Sequence, residues 1–205
     1  MKKITIALLC MIIATGSAMA QKQFSFGPKV GVDLTHFWGS GTKLYYGGNH
    51  AQMNYQVGLF FEYRASNVFA VAPEVVFASQ GGIMKDSGIP SGMYKFIYTT
   101  NYINVPLMMK FYVSKAVSID FGPQIGFNVY SRYSGKWEDT NDDYKTTDRK
   151  KQTNSVDFGL GLGATYNIAN DVFVQARYSL GLTKIFKDEE PIKNGNAQIA
   201  IGYRF

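Results

Sequence analysis

The chain has 205 residues, a formal net charge of +6, 46% hydrophobic and 15% aromatic residues, and a single cysteine. That cysteine, Cys10, lies in a leader segment, so disulfides, thiol catalysis and thiolate metal sites are excluded from the rest of the chain. The mild basic balance suits acidic surfaces such as lipopolysaccharide phosphates, and an exported chain meets no nucleic acid.

The first element is a secretory signal. Lys2 and Lys3 form its charged start, residues 4–14 are an apolar run broken by Thr5, and Ala18-Met19-Ala20 is a small-residue cleavage site. The run is shorter than the roughly 20 residues of a spanning helix. Cys10 sits inside the run and not at its end, which argues against a lipoprotein. We expect residues 1–20 to be removed and residues 21–205 to form one domain, with the net charge reduced by the loss of Lys2 and Lys3.

Eight strands are predicted next, over residues 24–34, 53–63, 68–78, 101–113, 116–130, 155–167, 171–183 and 197–205. Each alternates with a period of two, the signature of one apolar and one non-apolar face. In the first, Phe24, Phe26, Pro28, Val30, Val32 and Leu34 share a face, and Ser25, Gly27, Lys29, Gly31 and Asp33 share the other. The last strand ends on the aromatic Phe205.

The apolar face could point into a soluble barrel or out into lipid. Three features favour lipid. The non-apolar faces are rich in glycine, which suits a narrow interior better than a solvated surface. The strands reach the roughly 9–11 residues that a tilted strand needs to cross a bilayer. Short connections at 64–67, 114–115 and 168–170 alternate with long polar ones at 35–52, 79–100, 131–154 and 184–196, as periplasmic turns alternate with external loops. An even strand count lets the first and last strands pair, so that no edge is left in lipid. The expected fold is therefore all-β: an eight-stranded antiparallel up-and-down transmembrane β-barrel. Phe24, Phe61, Tyr63, Phe69, Phe111, Tyr166, Tyr203 and Phe205 all fall in the outward phase near the short-turn end, and are expected to form a periplasmic aromatic girdle.

Several segments then resemble one known family. They are Gly27-Pro28-Lys29-Val30-Gly31-Val32-Asp33-Leu34, Val71-Ala72-Pro73-Glu74-Val75-Val76-Phe77, Ile103-Asn104-Val105-Pro106-Leu107-Met108-Met109-Lys110-Phe111, Phe121-Gly122-Pro123-Gln124-Ile125-Gly126-Phe127 and Ala176-Arg177-Tyr178-Ser179-Leu180-Gly181-Leu182. Together they make the chain similar to the small outer-membrane β-barrel proteins of Bacteroidetes, called PorT-like or outer membrane protein beta-barrel domain proteins. The resemblance implies an outer-membrane location and insertion by the barrel-assembly machinery. It carries over no catalytic residue.

The inward charges are the most informative chemistry. Lys29, Lys110, Arg177 and Arg204 oppose Asp33, Glu62, Glu74, Asp120 and Asp157, a nearly balanced set. A charge inside a narrow barrel must be paired or hydrated, since an isolated one costs several kcal/mol. Glu74, Lys110 and Arg177 are expected at the centre of the network. An eight-strand barrel is barely wide enough for its own side chains, so the set reads as a plug before it reads as a pore.

Other candidates are weaker. His36 and His50 bracket the first long loop, with Asp33, Ser40 and Glu62 as conceivable hydrolase partners, but no motif joins them. Asp139-Thr140-Asn141-Asp142-Asp143 starts like a calcium loop, yet Tyr144 and Lys150 stand where an EF-hand needs Gly and Glu. Gly159-Leu160-Gly161-Leu162-Gly163 has a strand period and no following helix, so it is not a phosphate loop. No cofactor and no metal are expected. The leading reading is a monomeric, non-enzymatic outer-membrane barrel with a closed polar interior and recognition through its external loops, in contact with membrane lipid and lipopolysaccharide. The alternatives are a secretion or transport accessory with an unidentified protein partner, a narrow porin, a lipid A-modifying enzyme, and a soluble periplasmic barrel for an apolar ligand.

Overall fold

The computed structural model describes residues 23–44, 49–86, 94–137, 147–148, 150–169, 171–187 and 190–205. The expected signal segment and the acidic run at 139–143 lie outside the described residues.

Eight long strands carry the fold: β1 (Phe24–Trp38), β2 (Gln52–Arg64), β3 (Phe69–Asp86), β4 (Tyr94–Tyr112), β5 (Val117–Trp137), β6 (Val156–Asn167), β7 (Val172–Gly181) and β8 (Lys193–Tyr203). Each pairs antiparallel with its sequence neighbour. β8 returns to β1, from Lys29↔Gly202 to Trp38↔Lys193, and the ring closes. Two further two-residue strands, Asn49–His50 and Thr147–Asp148, pair with the far ends of β3 and β5.

The alternation of each strand sorts its side chains between the two walls. On β1, Val30, Val32 and Leu34 are 54%, 56% and 50% exposed, while Lys29 and Asp33 between them are 2% and 1% exposed. Apolar residues outside and charged residues inside is the order of a membrane barrel, the reverse of a soluble one. Among the described residues no helix is long and apolar enough to cross a membrane, which does not bear on strands.

The three short connections lie at one end. Two are built on a serine: the Ser66 hydroxyl accepts from the Val68 and Phe69 amides, and the Ser114 hydroxyl from the Ala116 and Val117 amides. These side-chain bonds satisfy backbone donors that the turn would otherwise leave open. The third turn closes with the Ile168 and Ala169 amides both donating to the Val172 carbonyl.

At the other end the strands run further than the alternation predicts. β3 and β4 stay paired up to Asp86↔Tyr94, and β4 and β5, across one register shift, up to Tyr94↔Trp137. Much of the expected loops at 79–100 and 131–154 is thus a raised three-stranded sheet. The cause is local. The β4–β5 register shifts between Asn101 and Tyr102, so Val129 is an extra residue and the inward phase of β5 passes from Asn128 to Ser131. β3 carries Ser79-Gln80-Gly81-Gly82, where apolar alternation stops. Gly81 has φ +157, and a Cβ there would strike the Tyr98 carbonyl. β8 likewise starts at Lys193, ahead of the predicted 197, because Lys193-Asn194-Gly195-Asn196 shows no apolar phase.

The raised end has a core of its own. Phe37, Met84, Ile185, Phe186 and Ile192 are buried together, with Phe96 and Tyr98 packed against them. The stretch between β7 and β8 folds back to supply three of them. The Ile185 amide donates to the Ile192 carbonyl, and Phe186 bridges to Thr153.

Candidate functional site

Inside the ring the polar side chains are arranged in levels, with Phe60, Val76, Tyr102, Met108 and Phe173 buried among them. At the level nearest the short turns, Glu62 accepts from the Lys110 ammonium at 2.9 Å and the Tyr112 hydroxyl at 2.5 Å. The guanidiniums of Arg64 and Arg204 approach the same carboxylate at 3.6 and 3.7 Å. Arg64 also lies 3.9 Å from the centroid of the Tyr112 ring, and Arg204 reaches the Asn167 amide oxygen at 3.3 Å.

The middle level turns on Glu74. Arg177 grips it with both terminal nitrogens, at 3.0 and 2.6 Å, and Lys29 donates to it at 2.7 Å. Lys29 donates as well to the Gln175 side-chain oxygen at 2.9 Å. The Gln175 nitrogen passes the chain on to Asp120 at 3.3 Å, which also accepts from Ser118 at 2.6 Å and from the Thr165 hydroxyl. The paired fork of an Arg on a carboxylate is among the stronger charge-assisted geometries, and it fixes the carboxylate plane. β6 passes close to the Arg177 backbone at Gly163, where an added Cβ would lie 2.3 Å from the Ala176 carbonyl oxygen and 2.9 Å from the Arg177 Cα.

Above this, Asp33 accepts from Gln56 at 2.7 Å and Asn196 at 3.4 Å, and Gln56 continues to Gln198 and Ser179. Asp157 accepts from Asn194 at 2.9 Å, just below the apolar core of the raised end.

The structure therefore brings the nine inward charges into separate levels. The expected grouping of Glu74, Lys110 and Arg177 is corrected. Lys29 is the second cation on Glu74, while Lys110 stands opposite Ala70, four residues nearer the turns, and pairs with Glu62. The neutral partners Gln56, Ser118, Tyr112, Thr165, Gln175, Asn194, Asn196 and Gln198 were not among the predicted site residues. The signal for them was present: they share the inward phase with the charges on their own strands.

The outward aromatics form contacts on the turn end of the outer wall. Phe24 and Phe61 meet Phe26 at 6.4 Å between centroids, Phe205 meets Phe26 at 5.6 Å and Tyr203 at 5.1 Å, and Phe69 meets Phe111 at 5.1 Å. Phe121 stacks on Phe111 at 5.6 Å. Tyr63 and Tyr166 are 49% and 54% exposed on the same wall. The Phe205 amide donates to the Phe26 carbonyl at 2.8 Å, which continues the β8–β1 seam beyond the last ladder pair.

The histidines are not in a loop. His36 belongs to β1, faces outward, and its Nε2 lies 3.3 Å from the Tyr178 hydroxyl. His50 pairs opposite Ile83 of β3. Asp33 and Glu62 are turned into the lumen and bonded there, so the conceivable hydrolase set is not assembled. Gly159, Gly161 and Gly163 lie within β6, and among the described residues the next element is the strand β7. Among the described residues no group of three His, Cys, Asp or Glu could hold a metal ion.

A family model described as outer membrane protein beta-barrel domain matches residues 19–187. No curated protein matches the chain in sequence. Of solved structures, the chain is similar to the attachment invasion locus protein Ail of Yersinia pestis, at 13% identity and a TM-score of 0.51, over 89% of this chain and 99% of that one. Neisserial surface protein A is matched at 14% identity and a TM-score of 0.49, over 88% of this chain and 97% of that one. At such identity the likeness to Ail speaks for the fold alone.

Proposed function

The chain belongs to the outer membrane protein beta-barrel domain family, and from that premise we propose that it is a closed, non-enzymatic and monomeric barrel that presents its raised hairpins for recognition outside the cell. One observation carries this reading: Glu74, 3% exposed, holds Arg177 and Lys29 across the lumen. Charges engaged with one another in the middle of an eight-strand barrel leave no free path for ions. In this reading residues 1–20 are a signal peptide cut after Ala20, and the barrel-assembly machinery inserts residues 21–205. The short turns and the aromatic girdle of Phe24, Phe61, Tyr63, Phe69, Phe111, Tyr166, Tyr203 and Phe205 face the periplasm. The finer kinship is with the PorT-like proteins of Bacteroidetes.

Planar-bilayer recording is the direct test. The purified barrel should give no large, steady single-channel currents. Such currents in the native protein would overturn the closed reading in favour of a narrow porin.

A second reading has a specific feature behind it. The raised sheet of β3, β4 and β5 runs beyond the β1–β2 and β6–β7 ladders and offers a protein-facing platform, as a secretion or transport accessory would need. Crosslinking in cells through a residue of this sheet should capture one defined protein if that role holds, and none if the barrel acts alone.

A further inference from the structure

The outer wall is not uniformly bulky. Where β7, β8 and β1 run side by side, Ala197 stands between Tyr178 and Leu34, and Ala176 and Gly195 occupy neighbouring outward positions. Between them lies an apolar groove of about 470 Å³, walled by Val32, Leu34, Met53, Tyr178 and Ile199. Comparable apolar recesses lie beside Phe121 and Leu160 and beside Val30 and Ile201, so what sets this one apart is the polar group of side chains above it on β1 and β8.

The groove's Tyr178 wall leads up to a set of polar side chains on β1 and β8. The His36 ring lies over Gly195, where an added Cβ would come within 2.6 Å of the imidazole, and meets the Tyr178 hydroxyl across β8. One step further out, the Lys193 ammonium sits 4.7 Å from the Trp38 ring centroid. Lys193 takes part in no salt bridge among the described residues. At roughly 3.3 Å per residue and a tilt of about 40°, the climb from Phe26 to His36 is about 25 Å, the height of the apolar band of such barrels. His36 and Tyr178 therefore sit where hydrocarbon gives way to headgroups, and Lys193 sits above that boundary. Aromatic side chains at such a boundary are an ordinary belt. A groove beneath them and, above them, a cation that rests on Trp38 with no carboxylate partner among the described residues go beyond one.

We propose that this groove seats an acyl chain of a phosphorylated, multiply acylated glycolipid of lipid A type. Lys193 would pair with its phosphate, and His36 and Tyr178 would meet its headgroup. The inference rests on the reading that the raised hairpins face outward, since the outer leaflet is the glycolipid leaflet. A Lys193 ammonium with no carboxylate partner among the described residues favours a phosphorylated headgroup over a neutral one.

The test uses the full-length barrel in phosphatidylcholine nanodiscs that carry, in separate arms, bisphosphorylated lipid A, dephosphorylated lipid A or phosphatidylglycerol. Native mass spectrometry then reads the lipid retained on the protein. Bisphosphorylated lipid A should be retained in preference to the other two. Lys193→Glu and Ala197→Trp should each lower its retention about five-fold, the scale of a partly exposed ion pair. Heat-modifiable gel migration checks that each variant is folded, and Ala176→Leu replaces Ala197→Trp if that variant is not. Equal retention of phosphatidylglycerol, or retention unchanged by the filled groove, would overturn the proposal. Orientation is read separately. Ser40→Cys, at an exposed site in a chain whose only other cysteine is in the leader, should label with a membrane-impermeant maleimide on intact cells. Failure to label would defeat the outward reading and this proposal together, whereas labelling with an empty groove would defeat this proposal alone.

Discussion

From Lys110 up to Asn194 the inside of the ring carries buried charges and amides, with Phe60, Met108 and Phe173 set among them, whereas a few residues higher it is packed by Phe37, Met84, Ile185, Phe186 and Ile192 with no charge in the cluster. A single strand shows the change. Along β1 the inward residues run Lys29, Asp33, Thr35 and then Phe37, while the outward ones run Val30, Val32, Leu34 and then His36. Where hydrocarbon surrounds the wall, apolar side chains belong outside and the lumen is left to polar groups. Where water surrounds the strands, apolar side chains gain by turning inward, as in any soluble domain. One chain thus obeys two opposite burial rules, and the switch falls between Thr35 and Phe37.

The largest expected effect breaks the lumen side of this contrast. Glu74→Leu leaves Lys29 and Arg177 buried without their carboxylate, and removal of one partner from a buried ion set costs about 3–5 kcal/mol. Equilibrium unfolding of the barrel in lipid vesicles should show a loss of that size. The comparison sharpens if all three members are exchanged. Lys29→Met and Arg177→Met added to Glu74→Leu should recover most of the loss, because it is the unpaired charge that destabilises the folded state. A triple variant as weak as the single one would mean that the ion set itself contributes net stability.

A smaller effect is expected in the raised core. Ile185→Ala removes buried methylenes and leaves a cavity, at about 2–3 kcal/mol. The loss should stay local. Hydrogen exchange should speed at the amides of 184–187 and at Ile192, while those of β1 and β8 below His36 keep their protection. If the whole barrel were destabilised equally, the raised core and the lumen would be one cooperative unit and the contrast would be one of composition only.

How much of this was legible in the sequence follows the same division. Inside the apolar band the outward phase is apolar on every strand, with Phe60, Val76, Met108 and Phe173 the large apolar residues of the inward phase, so all eight strands and the β8–β1 closure could be read directly. Above it the period fails for nameable reasons. Val129 is a bulge that flips the phase of β5, and Ser79-Gln80-Gly81-Gly82 gives β3 no apolar rhythm to follow. The raised core was invisible because Ile185, Phe186 and Ile192 come from a fold-back with no repeating pattern. The pairing of Glu74 with Lys29 instead of Lys110 was hidden for another reason. Partner choice depends on the relative height of strands around the ring, and a strand-by-strand period does not encode it.

The smallest effect lies where the lumen meets water. Tyr112→Phe removes the hydroxyl that donates to Glu62 but keeps the ring on which Arg64 rests. In the middle of the lumen, loss of a donor to a carboxylate would approach the full cost of an unmet buried group, about 1–3 kcal/mol. At this level Glu62 keeps Lys110 at 2.9 Å and has Arg64 and Arg204 at 3.6 and 3.7 Å, and the Arg64 side chain is 33% exposed, so water can approach. The expected loss is therefore about 1 kcal/mol, at the low end of that range. Tyr112→Leu should lose more, by the further 0.5–1 kcal/mol or so of an exposed guanidinium on an aromatic face. Both are measured by the same unfolding experiment. If Tyr112→Phe instead cost as much as Glu74→Leu, the turn-end level would be as dry as the middle one, and the polar lumen would be sealed at both ends.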